Sequence, residues 1–303
     1  MTHPPSPKFV TATEVAASAA FDPEAPAPPR FLVGAPFQNL DIRPGRIVLI
    51  GAPPAAGKTA ATLQITESVL ANNPEVKALI ANVEMSPSDL LARIVARLSG
   101  VRVDIIGDRK YLPEEKAKVK TTLSLHASTL SRMAFLEPPF DLEHLAETGD
   151  AFGANLLVID YVQRFGHEND QRENLDGLMS GIRRLALAGV AVIVVSSVGR
   201  RKDSKGQSTY AGLNLASFRG SAELEFGADS AYILDNLDDA VTLRCVKARY
   251  GRPSSIDLQF VGEYQRFDER DAANEICTGL IPHGNAAVVD PLLTLGDSRG
   301  VEQ

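Results

Sequence analysis

The chain has 303 residues, 44% of them hydrophobic, enough for one large domain or two small ones with a sizeable core. Its 31 Lys and Arg against 38 Asp and Glu give a net charge of −7, which argues against a surface that coats duplex DNA by bulk charge but leaves room for a local basic channel. No run approaches the ~20 uninterrupted apolar residues of a membrane helix. Cys245 and Cys277 are too few for a disulfide framework or a structural zinc site. The expectation is a reduced, soluble, cytoplasmic protein.

Residues 1–30 are rich in proline and alanine, ending in Pro23-Glu-Ala-Pro-Ala-Pro-Pro29, a composition that favours an extended, solvated arm. Met1-Thr-His-Pro-Pro-Ser-Pro7 has neither the basic start nor the apolar stretch of a secretory signal. Ala12 to Ala20 has the composition of a short helix, too short to persist in water unless it docks. A disordered tail and a docking arm are both open readings. The main domain is expected over 31–268 and a loosely held tail over 269–303.

From about residue 40, apolar runs alternate with amphipathic stretches. Arg46–Gly51 reads as a buried strand, Lys58 to about Leu70 as a helix, and Ala78–Val83 as a second strand. Ser86 is an N-cap, followed by Pro87 in the first turn and Asp89, a capping-box variant. Its helix carries Leu90, Leu91, Ile94, Val95 and Leu98 on one face. Helices are expected over Pro113–His126, Asp141–Thr148 and 171–188. Strands are expected over Arg132–Leu136, Asn155–Ile159 and Val190–Val195. Strands apolar on both faces and separated by helices mean an α/β fold with a mostly parallel central sheet, helices on both faces. Tyr232–Leu234, Val241–Val246 and Ile256–Phe260 predict an antiparallel extension at one sheet edge.

The sharpest chemical signal is Ala52-Pro53-Pro54-Ala55-Ala56-Gly57-Lys58-Thr59, placed between a strand and a helix. Binding a nucleoside triphosphate needs backbone N–H groups around the β-phosphate, a helix N-terminus aimed at it, a Lys on the β and γ oxygens and a hydroxyl on Mg²⁺. These eight residues supply all four, although Ala52 stands where the usual loop begins with glycine. ATP and Mg²⁺ are the cofactors implied. Asp160 ends an apolar strand, costly to bury unless it faces a cation, and is expected to hold Mg²⁺ with Thr59. Glu84, at the end of the second strand, is either the group that activates water or a surface acid before a helix. The five histidines are scattered and suggest no metal cluster.

Several motifs resemble the ATPase domain of DnaB-type replicative helicases. They are Glu84-Met-Ser86 with Leu90 and Arg93; Val158-Ile-Asp-Tyr-Val-Gln163; Ser217 to Asp229 through Arg219, Ser221, Glu225, Ala228 and Asp229; and Lys247-Ala-Arg249-Tyr-Gly251. The resemblance covers roughly 33–268, with the motifs in order. It implies a RecA-like P-loop fold and a hexameric ring with ATP at each subunit boundary. By position it makes Glu84 the catalytic base and Arg249 the finger reaching a neighbour's γ-phosphate, with Lys247 beside it. It implies sensing through Gln163 and the position of Ser197. Two loops would face the channel, Arg164–Arg172 and Gly199–Gly220. In the second, Arg200, Arg201, Lys202, Lys205, Arg219 and Gly220 would grip single-stranded DNA.

The departures from that family are also legible. Ser196-Ser197 stands where the family has Ser-Gln, Gly220 replaces an acid, and no counterpart of the helical N-terminal domain is recognised. Three functions compete. The leading one is a ring-forming helicase or translocase in plasmid, phage or mobile-element replication, with a loader or initiator as possible partner. The second is a RecA- or KaiC-like ATP-driven switch or assembly protein. The third is a small-molecule phosphotransferase, which would need a lid and an acceptor pocket.

Overall fold

The computed structural model describes residues 9–18, 21–165, 171–202, 208–210, 212–218, 222–237 and 240–270. Near the start, α1 (Ala12–Ala16) is capped by Thr11 and Glu14 and buries none of its residues. It is shorter than the Ala12–Ala20 segment read from the sequence. Phe31, Val33, Phe37, Leu40 and Ile42 then enter the core, with Phe31 bridging Ile42.

The domain is a βα succession. In chain order come β1 (Ile47–Ala52), α2 (Lys58–Asn72), β2 (Ala78–Asn82), α3 (Pro87–Ser99), α4 (Val103–Asp108), α5 (Pro113–Leu125), α6 (Ala127–Leu130), β3 (Met133–Phe135), α7 (Leu142–Phe152) and β4 (Leu156–Asp160). There follow α8 (Gln171–Leu187), β5 (Ala191–Ser197), a small hairpin of β6 (Arg201–Lys202) and β7 (Ser208–Thr209), α9 (Ala222–Gly227), β8 (Ser230–Leu237), β9 (Ala240–Ala248), β10 (Ser255–Val261) and β11 (Arg266–Glu269). Among the described residues, one nine-stranded sheet runs β11-β10-β9-β8-β1-β5-β4-β2-β3. The strands from β8 to β3 are parallel, and β9, β10 and β11 alternate as an antiparallel extension. The extension therefore begins at β9, because β8, which holds Tyr232, pairs in parallel with β1.

Alternation along each buried strand builds two cores. Val48, Ile50, Ile80, Val158 and Ile193 face α2 and α3, while Ile47, Leu49, Leu79, Leu157 and Val192 face Leu145 of α7 and Ile182 of α8. Burying each such side chain contributes about 1.5–3 kcal/mol. The helix α2 is buried nearly all round, and its Thr62 and Thr66 hydroxyls turn inward to donate to the carbonyls one turn back, Lys58 and Thr62, at 2.8 Å. Glu67 on the same helix is buried against Arg97 of α3 at 2.8 Å. No helix among the described residues is long and apolar enough to cross a membrane.

Three short helices, α4, α6 and α9, and the β6–β7 hairpin lie in stretches where the sequence pattern predicts no element. Each helix is six residues or shorter and each hairpin strand has two, below the length at which periodicity is readable.

Candidate active site

All parallel strands end on one side of the sheet, and the chemistry-bearing residues collect there. β1 delivers the loop Pro53–Gly57, which folds over the N-terminus of α2. Ala55 and Gly57 take left-handed backbone angles, φ 62° and 83°. Gly57 is required twice over: a Cβ there would also lie 2.8 Å from the Phe267 ring and 3.3 Å from Phe260. Those rings stack at 4.4 Å, and Phe267 is held to α2 by reciprocal 2.8 Å bonds between its backbone and the Gln64 amide. The last strand of the sheet thus braces the loop.

The Lys58 ammonium donates to the Pro53 carbonyl at 3.2 Å, curling back along its own loop. Burial lowers its pKa, and the Asp160 and Glu84 charges nearby push it back up. Thr59 Oγ1 donates to Asp160 Oδ2 at 2.7 Å. Asp160 is 4% exposed. Burial raises its pKa, while the Thr59 hydroxyl, Lys58 and Asn82 oppose the rise. A hydroxyl beside a desolvated carboxylate is an oxygen donor set that suits a hard divalent cation.

Asn82, at the last position of β2, is absent from the site residues expected from the sequence. Its amide donates to Asp160 Oδ2 at 2.8 Å, and its oxygen accepts from the Glu84 and Met85 N–H groups at 3.0 and 2.8 Å. One buried side chain therefore fixes the backbone of Glu84 relative to Asp160. The signal that finds Asp160, a polar residue ending an apolar strand, finds Asn82 too. The Glu84 carboxylate is half-exposed, 3.8 Å from Arg164 Nη1. Burial, then the adjacent Glu84 charge, pushes the Tyr161 hydroxyl's pKa up.

Gln163, just past β4, reaches the end of β5: its Nε2 donates to Ser196 Oγ at 2.6 Å, and Ser197 N–H donates to its Oε1 at 3.1 Å. A side-chain amide from the neighbouring strand therefore contacts the Ser196-Ser197 pair. Beyond it, Val198 bridges Phe218 and closes the second loop. A Cβ on Gly51 would lie 2.4 Å from the Phe218 ring, so that loop's base is seated on the strand leading into the phosphate loop. Arg200 lies over Tyr210, 5.3 Å from the ring centroid. Arg201 and Lys202 form β6, whereas Lys205, Arg219 and Gly220 lie outside the described residues.

Lys247 and Arg249 lie elsewhere. The Arg249 N–H donates to the Asp229 carbonyl at 2.8 Å, and the Asp229 carboxylate accepts from Ile47 N–H, the first residue of β1, at 2.9 Å. The Arg249 and Arg183 guanidiniums both pair with that carboxylate at 2.9 Å. Lys247 donates to the carbonyls of Glu225 and Phe226. Lys247 and Arg249 thus sit at the beginning of β1 and the phosphate loop at its end, about 17 Å away at ~3.3 Å per residue.

A family model described as the DnaB-like helicase C terminal domain matches residues 37–269. Over 256 residues the chain is 25% identical to the replicative DNA helicase DnaB of Geobacillus stearothermophilus, covering 76% of this chain and 53% of that protein. The chain thus spans about half the length of that curated relative. Two solved structures share the fold at 19% identity and a TM-score of 0.65, each over 76% of this chain. One is a DnaB-like replicative helicase described with its interactions with primase, covered over 58% of its length; the other is described as an ATPase domain and is covered over 86%. The motifs, the sheet order and the matched span agree: the chain belongs to the DnaB-like helicase C-terminal domain family and has its RecA-like fold.

Proposed function

We propose that this chain is an ATP-hydrolysing, ring-forming helicase or translocase acting on single-stranded DNA, in plasmid, phage or mobile-element replication. The observation that carries the proposal is the separation of the two halves of the site. The phosphate loop, Asp160 and Glu84 share one edge of the sheet, while Arg249 and Lys247 occupy the other, too far to serve the same nucleotide. Cations so placed complete a site only on a neighbouring copy. A trans cation acts on charge that develops in the transition state.

Residues 52–57 wrap the β-phosphate at the start of α2, with Ala55, Ala56 and Gly57 supplying backbone N–H groups that Pro53 and Pro54 lack, and Lys58 leaves the Pro53 carbonyl to take the β and γ oxygens. Thr59 and Asp160 would hold Mg²⁺, which would supply neutralisation of the phosphate charge. Glu84, its backbone fixed by Asn82, orients the attacking water and takes its proton. Arg249 of the next copy leaves Asp229 to stabilise the transferring phosphoryl group, with Lys247 beside it. Arg200, Arg201, Lys202, Lys205, Arg219 and Gly220 form the DNA-facing loop, rooted on Gly51 through Phe218. Gln163 carries the nucleotide state from the Asp160 turn to the strand that feeds this loop. Residues 8–20 dock on a neighbouring copy, and a truncation starting at Arg30 that leaves the assembly unchanged would remove that role.

The test is steady-state ATP hydrolysis with and without single-stranded DNA, beside Lys58→Ala and Arg249→Ala. Stimulation by DNA, lost in both variants, is the expected result. A second reading, an ATP-driven switch or assembly protein, is favoured by Ser197 in place of glutamine. Hydrolysis indifferent to DNA but lost in both variants would select it.

A further inference from the structure

The contacts that hold Lys247 and Arg249 also present an aromatic ring. Lys247 Nζ and Arg249 Nη2 donate to the Phe226 carbonyl at 3.3 and 3.1 Å. The Phe226 side chain, 66% exposed, therefore shares one small patch with both cations. A single exposed phenylalanine is ordinary on a protein surface. The opposite edge of the sheet makes this one informative.

There a cavity of about 520 Å³ lies beside Glu84, between the end of β2 and the segment after β3. Val83, Leu90, Phe135 and Phe140 give it apolar walls, and the exposed Glu84 and Glu137 give it two carboxylates. A benzene ring fits an apolar cavity of about 150 Å³, so this one has room for a phenyl group and its flanking atoms. The two surfaces match in kind: an exposed ring on a residue whose carbonyl holds two cations, on a helix that also carries Glu223 and Glu225, and an apolar hollow bordered by Glu137 and by Glu84, which Arg164 faces. Because they occupy opposite edges of one sheet, they cannot meet within a chain. Joining them between copies gives a heterologous contact that repeats head to tail, closing a ring or extending a spiral.

We infer that Phe226 of each subunit inserts into the Glu84-side cavity of the next. The inference rests on the trans reading of Arg249 above and adds an apolar anchor to it. The same contact that buries Phe226 brings Arg249 and Lys247 towards the Glu84 edge, so seating the ring and completing the nucleotide site are one event.

The test is directed cross-linking between copies. In a full-length Cys245→Ser, Cys277→Ser background, Phe226→Cys and Phe140→Cys are combined in one chain and oxidised with diamide in the presence of a non-hydrolysable ATP analogue. The expected result is a ladder of disulfide-linked oligomers, absent from each single variant. Phe226→Asp should weaken assembly at least tenfold, read by sedimentation, while the melting temperature of the dissociated chain is unchanged. Assembly that survives Phe226→Asp with no ladder, while Arg249→Ala chains still complement Lys58→Ala chains, would overturn the anchor and leave the trans finger standing. Loss of complementation as well would overturn both.

Discussion

The two edges of the sheet are built on opposite plans. At the carboxyl edge, the phosphate loop is fixed from below. Gly57 lies under Phe267 and Phe260, Gln64 clamps the last strand, and Asn82 ties Asp160 to the Glu84 backbone. At the amino edge, Lys247 and Arg249 are parked on acceptors of their own chain, with Arg249 still 43% exposed. The carboxyl edge is preorganised, as electrostatic catalysis requires. The amino edge holds the exposed Arg249 on Asp229, a buried carboxylate that Arg183 and the Ile47 N–H also satisfy, so Arg249 can leave for another partner without stranding that charge.

The largest expected effect tests whether the two edges serve different molecules. Arg249→Ala and Lys58→Ala should each lower ATP hydrolysis by about 10³-fold or more. Mixing the two variants should restore a measurable fraction, because some boundaries then combine an intact phosphate loop with an intact finger. No recovery on mixing would mean that the edges do not share a nucleotide. The rigidity of the carboxyl edge is tested next. Gly57→Ala must adopt a positive φ and push aside Phe267, and should cost roughly 3 kcal/mol in chemical denaturation. A loss under 1 kcal/mol would mean that the aromatic brace yields.

A smaller effect is expected at Asp160. Burial raises its pKa above the ordinary carboxylate value, so ionising it opposes folding. The stability that the neutral acid allows is present at acid pH and lost as pH rises through the raised value. Asp160→Asn should therefore abolish hydrolysis yet raise the neutral-pH melting temperature. A lower melting temperature would contradict it. The smallest effect is at Asn82: Asn82→Ala should reduce kcat roughly tenfold with little change in KM, because it loosens Glu84 without touching the phosphate loop. A pure KM effect would place Asn82 in binding instead.

Much of this is legible in the sequence. The strands β1, β2, β4 and β5 are apolar at nearly every position, which only a sheet covered on both faces explains. The strand-loop-helix context of Gly57-Lys58-Thr59 marks its phosphate loop. Ser86 does cap α3, accepting the Asp89 N–H at 3.2 Å. What stays hidden depends on partners distant in sequence. Gln64 sits in a helix as an ordinary polar residue, and its partner Phe267 lies 203 positions away. Asn82 is one amide at a strand end until Asp160 arrives beside it. Gly51 reads from the sequence as the last residue of a buried strand, whereas its lack of a side chain makes room for Phe218.

The sequence by itself determined the fold class and the residue types of the phosphate site, because both are written in local patterns: period, strand ends and a contiguous loop. Only the tertiary structure decided which edge of the sheet each catalytic candidate occupies. Lys247 and Arg249 follow an antiparallel turn of the chain, and their side depends on β8 joining β1 in parallel and β9 returning beside it. Strand order and direction are set by long-range packing, and no local pattern encodes them.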